Sequence, residues 1–214
     1  MKIIIINGSP RKKWNTAQMC RSAQKGCEDA GAEVSYYDLT DLNFKACQSC
    51  FACKRLGGKS YGRCGWQDDL TPVLNGILEA DGLILGSPVY FGNVTADVCA
   101  LCERLWFAGL AYSSGKKEIY ERRIPVKLIF TMNCPEYNFH KYLNEHMLRS
   151  MERFIGPAEL LESVGTMQFD DYSKYETSMF DVAERLKRHE EVFPQDLQKA
   201  YDLGKRLVEE AAAK

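Results

Sequence analysis

Four consecutive isoleucines, Ile3 to Ile6, stand between Lys2 and the stretch Asn7-Gly8-Ser9-Pro10. A strand with one wet face alternates apolar and polar residues. An unbroken β-branched run marks a strand covered on both faces, and such strands belong to parallel sheets. A parallel sheet needs a long crossover after each strand, usually a helix. The next segment supplies one: from Asn15 to Ala30 apolar and small residues recur at helical spacing. Asn15 or Thr16 stands where a cap is needed, and Gly31 stands where the helix should end.

The alternation continues along the chain. Glu33 to Leu39 reads as a second strand, and residues 42–67 as a cysteine-bearing loop. Asp68 and Asp69 precede Leu70, Val73, Leu74, Ile77 and Leu78, an apolar stripe of helical period with two acids placed to cap its positive end. Further strands are predicted at Gly82–Gly86, Pro125–Thr131 and Ala158–Thr166. Further helices are predicted at Thr95–Phe107, Phe139–Phe154 and Pro194–Ala213, the last opened by proline. Strands and helices that alternate without an internal repeat predict an α/β, doubly wound parallel sheet. Five strands favour the flavodoxin-like order 2-1-3-4-5 with helices on both faces. A content of 45% hydrophobic and 27% charged residues suits one domain over residues 1–214, carrying the loop at 42–67 and a C-terminal helix at 194–213.

Lysine plus arginine (28) nearly balance aspartate plus glutamate (29), so the basic excess that nucleic acid demands is missing. The apolar stretch ending at Asn7 is too short for a signal core or a membrane span, and a cytoplasmic protein with no membrane partner is expected. The nine cysteines are an odd number, and a reducing compartment would keep them as thiols.

In a doubly wound sheet, ligands sit outside the carboxyl ends of the strands. The loop after the first strand, Gly8 to Thr16, runs into a helix N-terminus, where free N–H groups and the helix dipole converge. Ser9, Asn15 and Thr16 offer hydrogen bonds there and Arg11, Lys12 and Lys13 offer charge, a set suited to a terminal phosphate. Neither Gly-x-Gly-x-x-Gly nor the Gly-x-x-x-x-Gly-Lys-Ser/Thr loop is present, which weakens a dinucleotide or a nucleoside triphosphate as resident ligand. The loop after the third strand, Gly86 to Thr95, sets Tyr90 and Phe91 between Pro88 and Gly92, a frame for a planar ring. One flat heteroaromatic ligand with a phosphate explains both loops.

The pair GSPR...NTA and SPVYFGNVTA resembles the NAD(P)H-dependent FMN reductase family, iron–sulfur flavoproteins included, over about the first 135 residues in motif order. The resemblance implies that Ser9, Arg11, Asn15 and Thr16, with Ala17 beside them, hold the FMN phosphate. It implies that Pro88, Val89, Tyr90, Phe91 and Gly92 wrap the isoalloxazine. Thr131 and Asn133 fall where the family makes a third flavin contact, although glycines are more usual there. The activity implied is hydride transfer from NAD(P)H to flavin N5 and onward to a quinone, a nitroaromatic, a flavin or a protein acceptor, in a homodimer or homotetramer.

Cys47-x2-Cys50-x2-Cys53 brings three thiols together, and Cys64 follows after ten residues. Four thiolates suit an iron–sulfur cluster or a zinc ion. The iron–sulfur relatives usually place the fourth cysteine closer, and related reductases carry such a loop without metal. The expectation is a metal-free loop, with a 4Fe-4S cluster on Cys47, Cys50, Cys53 and Cys64 as the alternative and zinc behind both. Cys99 and Cys102 lie mid-helix among apolar residues and read as packing, as do Cys20 and Cys27. His140, His146 and His189 show no metal-ligand spacing, and no Ser/His/Asp set can be assembled. Catalysis is therefore expected from a cofactor and from no side-chain nucleophile.

Overall fold

The computed structural model describes residues 1–115, 117–179 and 181–213. Its centre is one parallel sheet of five strands: β1 (Lys2–Asn7), β2 (Glu33–Asp38), β3 (Gly82–Pro88), β4 (Val126–Thr131) and β5 (Ala158–Ser163), in the order β2-β1-β3-β4-β5. This is the flavodoxin-like arrangement expected. Ile3 pairs with Val34 of the edge strand β2 on one side and with Gly82 of β3 on the other, which fixes the register of β1 against both neighbours. The helices are α1 (Asn15–Asp29), α2 (Leu70–Glu79), α3 (Ala96–Gly109), α4 (Lys141–Phe154), α5 (Val182–Glu191) and α6 (Phe193–Ala212). Among the described residues, no helix is long and apolar enough to cross a membrane.

The isoleucine run builds both cores. Ile3 and Ile5 belong to one core with Met19, Cys20 and Ala23 of α1 and Leu203 and Leu207 of α6, while Ile4 and Ile6 belong to a second with Leu70, Val98, Leu101 and Met147 of α2, α3 and α4. All four are fully buried. At about 1.5–3 kcal/mol for each such side chain, this strand is a main anchor of the sheet. On the first face, α1 and α6 approach through glycines. A Cβ on Gly26 would stand 2.0 Å from the Tyr201 carbonyl oxygen, and one on Gly204 would stand 2.1 Å from that of Ala23. Cys20, Cys27 and Cys102 are packing residues: burial first, and nearby acidic side chains after it, push the thiols of Cys20 and Cys27 up to about 12 and that of Cys102 higher still.

Four expectations are corrected. Neither Asn15 nor Thr16 caps α1, because both lie inside it; Trp14 occupies the cap position and makes no side-chain cap. The fifth strand ends at Ser163 and does not reach Thr166, since Gly165 at φ +59° turns the chain toward β4. The acids before α2 do more than cap it. Asp68 accepts from the Leu70 N–H at 3.1 Å but spends most of its carboxylate on Arg104. Helix α5, absent from the sequence reading, precedes the C-terminal helix, which begins one residue before Pro194.

Candidate functional site

The loops after β1, β3 and β4 meet at the carboxyl edge of the sheet and are bonded to one another. The Gly8 N–H donates to the Gly86 carbonyl at 2.8 Å, and the Thr95 hydroxyl donates to the Gly8 carbonyl at 2.9 Å. The hydroxyls of Thr16 and Thr131 share a hydrogen bond of 2.7 Å, joining the start of α1 to the end of β4. Between these loops lies a cleft walled by Ser9, Arg11, Asn15 and Thr16, by Pro88, Val89 and Tyr90, and by Thr131 and Asn133. Those nine residues come from three separate stretches that sequence reasoning had assigned to one ligand.

The polar groups of the cleft fall into two sets. At one end α1 begins without a side-chain cap, so the first backbone N–H groups of the helix have no intrahelical acceptor. Ser9, Asn15 and Thr16 are buried around that point. The other end carries Asn133 Oδ1, a buried acceptor without a partner among the described residues. A buried amide oxygen left unpaired costs about 1–3 kcal/mol, so a donor from a ligand would be well received there.

Three of the expected residues lie outside this wall. Ala17 is buried within α1. Phe91, at φ +51°, points wholly into solvent, and Gly92, at φ +77°, closes the tight turn in which Tyr90 and Asn93 exchange backbone hydrogen bonds. Arg11 is engaged. Its guanidinium lies 3.8 Å from the centre of the Trp14 ring and donates to the Gln168 carbonyl at 2.7 Å. Lys12 is paired with Asp41.

A fourth wall escaped the sequence reading. Thr166, Met167 and Gln168 line the cleft, with Cys134 and His140 beside them. The Met167 carbonyl accepts from both Trp14 Nε1 (2.9 Å) and Asn15 Nδ2 (2.8 Å), and the Thr166 hydroxyl donates to the Met132 carbonyl at 3.1 Å. The available signal was topological, namely the loop after the fifth strand of a doubly wound sheet.

The cysteine loop forms a separate site. Cys47, Cys50, Cys53 and Cys64 all line one small cavity of about 20 Å³, closed on its inner side by Arg104 and Phe107 of α3. Cys53 is buried, Cys47 and Cys64 are half-buried, and Cys50 is exposed. Two residues without glycine's freedom, Ser49 and Phe51, adopt φ of +50° and +56° on either side of Cys50. Backbone in this region costs of order 1–3 kcal/mol per residue and concentrates at ligand clamps. The Cys53 thiol is pushed up, first by burial and then by the sulfurs of Cys64 and Cys50, against the opposing pull of Lys54. Among the described residues, no three histidine, cysteine or acidic side chains are drawn together closely enough to hold one metal ion. The loop from 42 to 67 contains five lysines and arginines and no aspartate or glutamate.

The model of the NADPH-dependent FMN reductase family matches residues 1–122. The chain belongs to that family. Iron–sulfur flavoproteins of two archaea are similar to it: one from Methanocaldococcus jannaschii is 40% identical over 104 residues, 49% of this chain and 51% of the relative. One from Archaeoglobus fulgidus is 38% identical over 104 residues, 49% of this chain and 48% of the relative. The match thus spans about half the length of these relatives. Among solved structures, an NAD(P)H:quinone oxidoreductase from Methanothermobacter marburgensis superposes with a TM-score of 0.66 at 16% identity, covering 97% of this chain and 96% of the other. An FMN-dependent NADH-azoreductase from Bacillus anthracis, in complex with FMN, gives 0.64 at 13% identity over 97% and 100% of the two chains. At such identities the likeness is one of fold.

Proposed function

We propose that this family member binds FMN in the cleft and acts as an oxidoreductase, taking hydride from NAD(P)H and passing electrons to a quinone, a nitroaromatic, a flavin or a protein acceptor. The observation that carries the reading is that one cleft joins the uncapped start of α1 to the unpartnered Asn133 Oδ1. A phosphate asks for N–H donors at a positive dipole end, and a flavin pyrimidine edge brings the N–H that an orphaned acceptor lacks. The residues present fit the group. Bound FMN would supply the two-electron chemistry.

The chain's own groups bind and orient. Ser9, Asn15, Thr16 and the backbone N–H groups of Asn15, Thr16 and Ala17 would hold the phosphate, with Arg11 close by. Pro88, Val89 and Tyr90 would lie along the ring, Gly92 making the turn that presents Tyr90, while Thr131 and Asn133 would meet its polar edge. The whole chain would serve as one FMN-binding domain. An anaerobic visible spectrum with FMN titration tests this. A yellow protein binding one FMN per chain and bleached by NADH or NADPH is expected; a colourless chain that takes up no FMN ends the reading.

A second reading, favoured by the four cysteines around one cavity, is an iron–sulfur flavoprotein in which a cluster on Cys47, Cys50, Cys53 and Cys64 exchanges electrons with FMN. The relatives from M. jannaschii and A. fulgidus bear that name. The thiols are of the right type and number, but among the described residues no three of them come close enough to hold one metal ion and the void they line measures about 20 Å³, so the loop as folded here does not fit a cluster. The same anaerobic preparation separates the two readings: about four irons with matching sulfide per chain mean a cluster, and none means a simple reductase.

A further inference from the structure

Charge is distributed unevenly along this chain. Five of its 28 lysines and arginines lie at 42–67, while all 29 aspartates and glutamates lie outside that loop. A nearly neutral protein therefore has one segment that carries only basic charge. The segment is also firmly seated. Arg104 of α3, its side chain 1% exposed, donates to the Lys45 carbonyl (3.1 Å) near the loop's beginning, to the Trp66 carbonyl (3.2 Å) at its end and to Asp68 just beyond (2.6 Å). In the middle, the Lys54 ammonium donates to the Phe107, Ala108 and Leu110 carbonyls at the end of α3. A loop tied at both ends and at its centre presents its side chains in fixed places.

Those side chains are of two kinds. Arg55 and Lys59 are exposed, make no ion pair among the described residues, and line one open hollow of about 590 Å³ together with Phe51, Gly58 and Ser60. Large apolar groups stand beside them. Phe51 is 52% exposed, and Leu56, between Arg55 and two glycines, is 83% exposed. Phe51 meets Phe107 edge-on at 5.6 Å, and Phe107 in turn meets Tyr112, itself 71% exposed, at 6.5 Å. Phe51 holds its place at φ +56°, a conformation that costs a residue other than glycine free energy, and it belongs to neither core.

We propose that this loop is a peripheral membrane-binding surface for anionic phospholipid. Lipid phosphates meet Arg55 and Lys59 around the hollow, and Leu56, Phe51 and Tyr112 enter the headgroup layer. Charge sets the class of partner, because a segment with only basic residues is drawn to a negatively charged leaflet. The arrangement separates a lipid from a protein. The centre of a protein interface is a packed apolar floor from which lysine is depleted. Here the apolar groups stand singly with cations between them, as in interfacial anchors whose aromatic and aliphatic tips sit among headgroups. Nucleic acid asks for a basic excess that the whole chain lacks. Peripheral contact needs no membrane-spanning helix. It brings the oxidoreductase proposed above to a bilayer, where apolar quinones dissolve, although the binding itself does not depend on that reading.

The test floats the full chain with vesicles of equal parts phosphatidylglycerol and phosphatidylcholine, and with vesicles of phosphatidylcholine alone. Binding to the anionic vesicles only is expected, weakening as salt is raised. Arg55→Glu with Lys59→Glu should lower the partition coefficient at least about tenfold, since each reversal turns an attraction into a repulsion. Leu56→Asp should lower it as well. Lys25→Glu with Arg149→Glu, the same charge change made at exposed cations on α1 and α4, should leave it in place. Every substituted side chain is exposed, so the variants keep the fold, which circular dichroism checks. A wild-type chain that stays in solution beside anionic vesicles overturns the proposal. So does equal flotation with both kinds of vesicle, flotation that Arg55→Glu with Lys59→Glu leaves unchanged, or an equal loss in the α1 and α4 control. Retention on immobilised polyglutamate without flotation assigns the surface to an acidic polypeptide instead, and binding of inorganic phosphate without flotation makes it a free-anion site.

Discussion

The hydroxyls of Ser9 and Thr16 are small groups with large expected consequences, because both are buried where a dianion would sit. Each hydrogen bond to a charged group contributes about 1.5–3 kcal/mol. The double variant Ser9→Ala, Thr16→Val should therefore bind FMN at least about tenfold more weakly, measured by fluorescence titration. Full flavin occupancy with unchanged affinity would remove the phosphate assignment. A second effect belongs to Asp68. Burial works to raise its carboxyl, but the Arg104 hydrogen bond and the Lys45 and Leu70 backbone N–H groups outweigh it and hold the group below its ordinary value of 3.8. A depressed carboxylate contributes stability above its unfolded value and loses it as pH falls through the folded one. The cysteine loop should thus resist proteolysis at neutral pH and become cleavable below about pH 4, and cleavage already at pH 6 would contradict this. Ser9, Pro88 and Thr131 at strand ends and Thr16 at the start of the helix after β1 were legible as lining one edge of the sheet, because the chain's alternation dictates those places. Met167 was not, since it contributes a backbone carbonyl and carbonyls leave no mark in a sequence. Arg104 was equally hidden: it lies in an apolar helix 36 residues from its partner Asp68.

Elements with a buried stripe were readable, and those without one were not. Helix α5 buries no residue, and its few apolar side chains, Val182, Ala183 and Leu186, are too sparse among charged ones to stand out as a core stripe. It stands on an Asp181 cap bonded to the Glu184 N–H and on Arg188, which donates to fully buried Asp196 at 2.6 Å. Strand β5 seemed longer than it is because two strand-favouring β-branched residues, Val164 and Thr166, follow it, although the strand ends at Ser163 and Gly165 between them turns the backbone. The contact between α1 and α6 was invisible for another reason: glycine inside a helix reads as a weakness until its neighbour is known. Gly204 illustrates the opposing terms. Alanine there gains about 1 kcal/mol of helix propensity, yet its methyl would meet the Ala23 carbonyl oxygen at 2.1 Å, a backbone atom unable to swing aside. Overpacking of this kind costs about 1–3 kcal/mol. Gly204→Ala is expected to lower Tm by about 2–4 °C for each net kcal/mol lost, while Gly115→Ala, which meets nothing within 4 Å, leaves Tm in place. Equal melting of the two variants would refute the close-packed helix pair.

At the scale of the whole molecule the cleft is incomplete on one side. Tyr90 and Phe91 on the β3 loop, Tyr137 and Phe139 on the β4 loop and Tyr142 in the first turn of α4 are all exposed, Phe91 entirely. Five exposed aromatic side chains on the segments that follow β3 and β4 are unusual for a surface left to water, and exposed apolar groups of this kind mark contacts with other molecules. A second copy of this chain fits the need, because a twofold contact would lay the same rim against its mate and shield a flavin from water. Sedimentation of the purified protein should give a species of twice the 24.4 kDa chain, or a higher even multiple. Phe91 supplies the sharper test. Its side chain touches neither core nor cleft wall, so Phe91→Asp spares the fold while placing a charge at the centre of the contact. The variant is expected to sediment as a monomer at micromolar concentration and to hold FMN more weakly than the unaltered protein. A monomeric wild type, or a Phe91→Asp protein that stays associated with full flavin, would show that the aromatic rim serves something other than self-association.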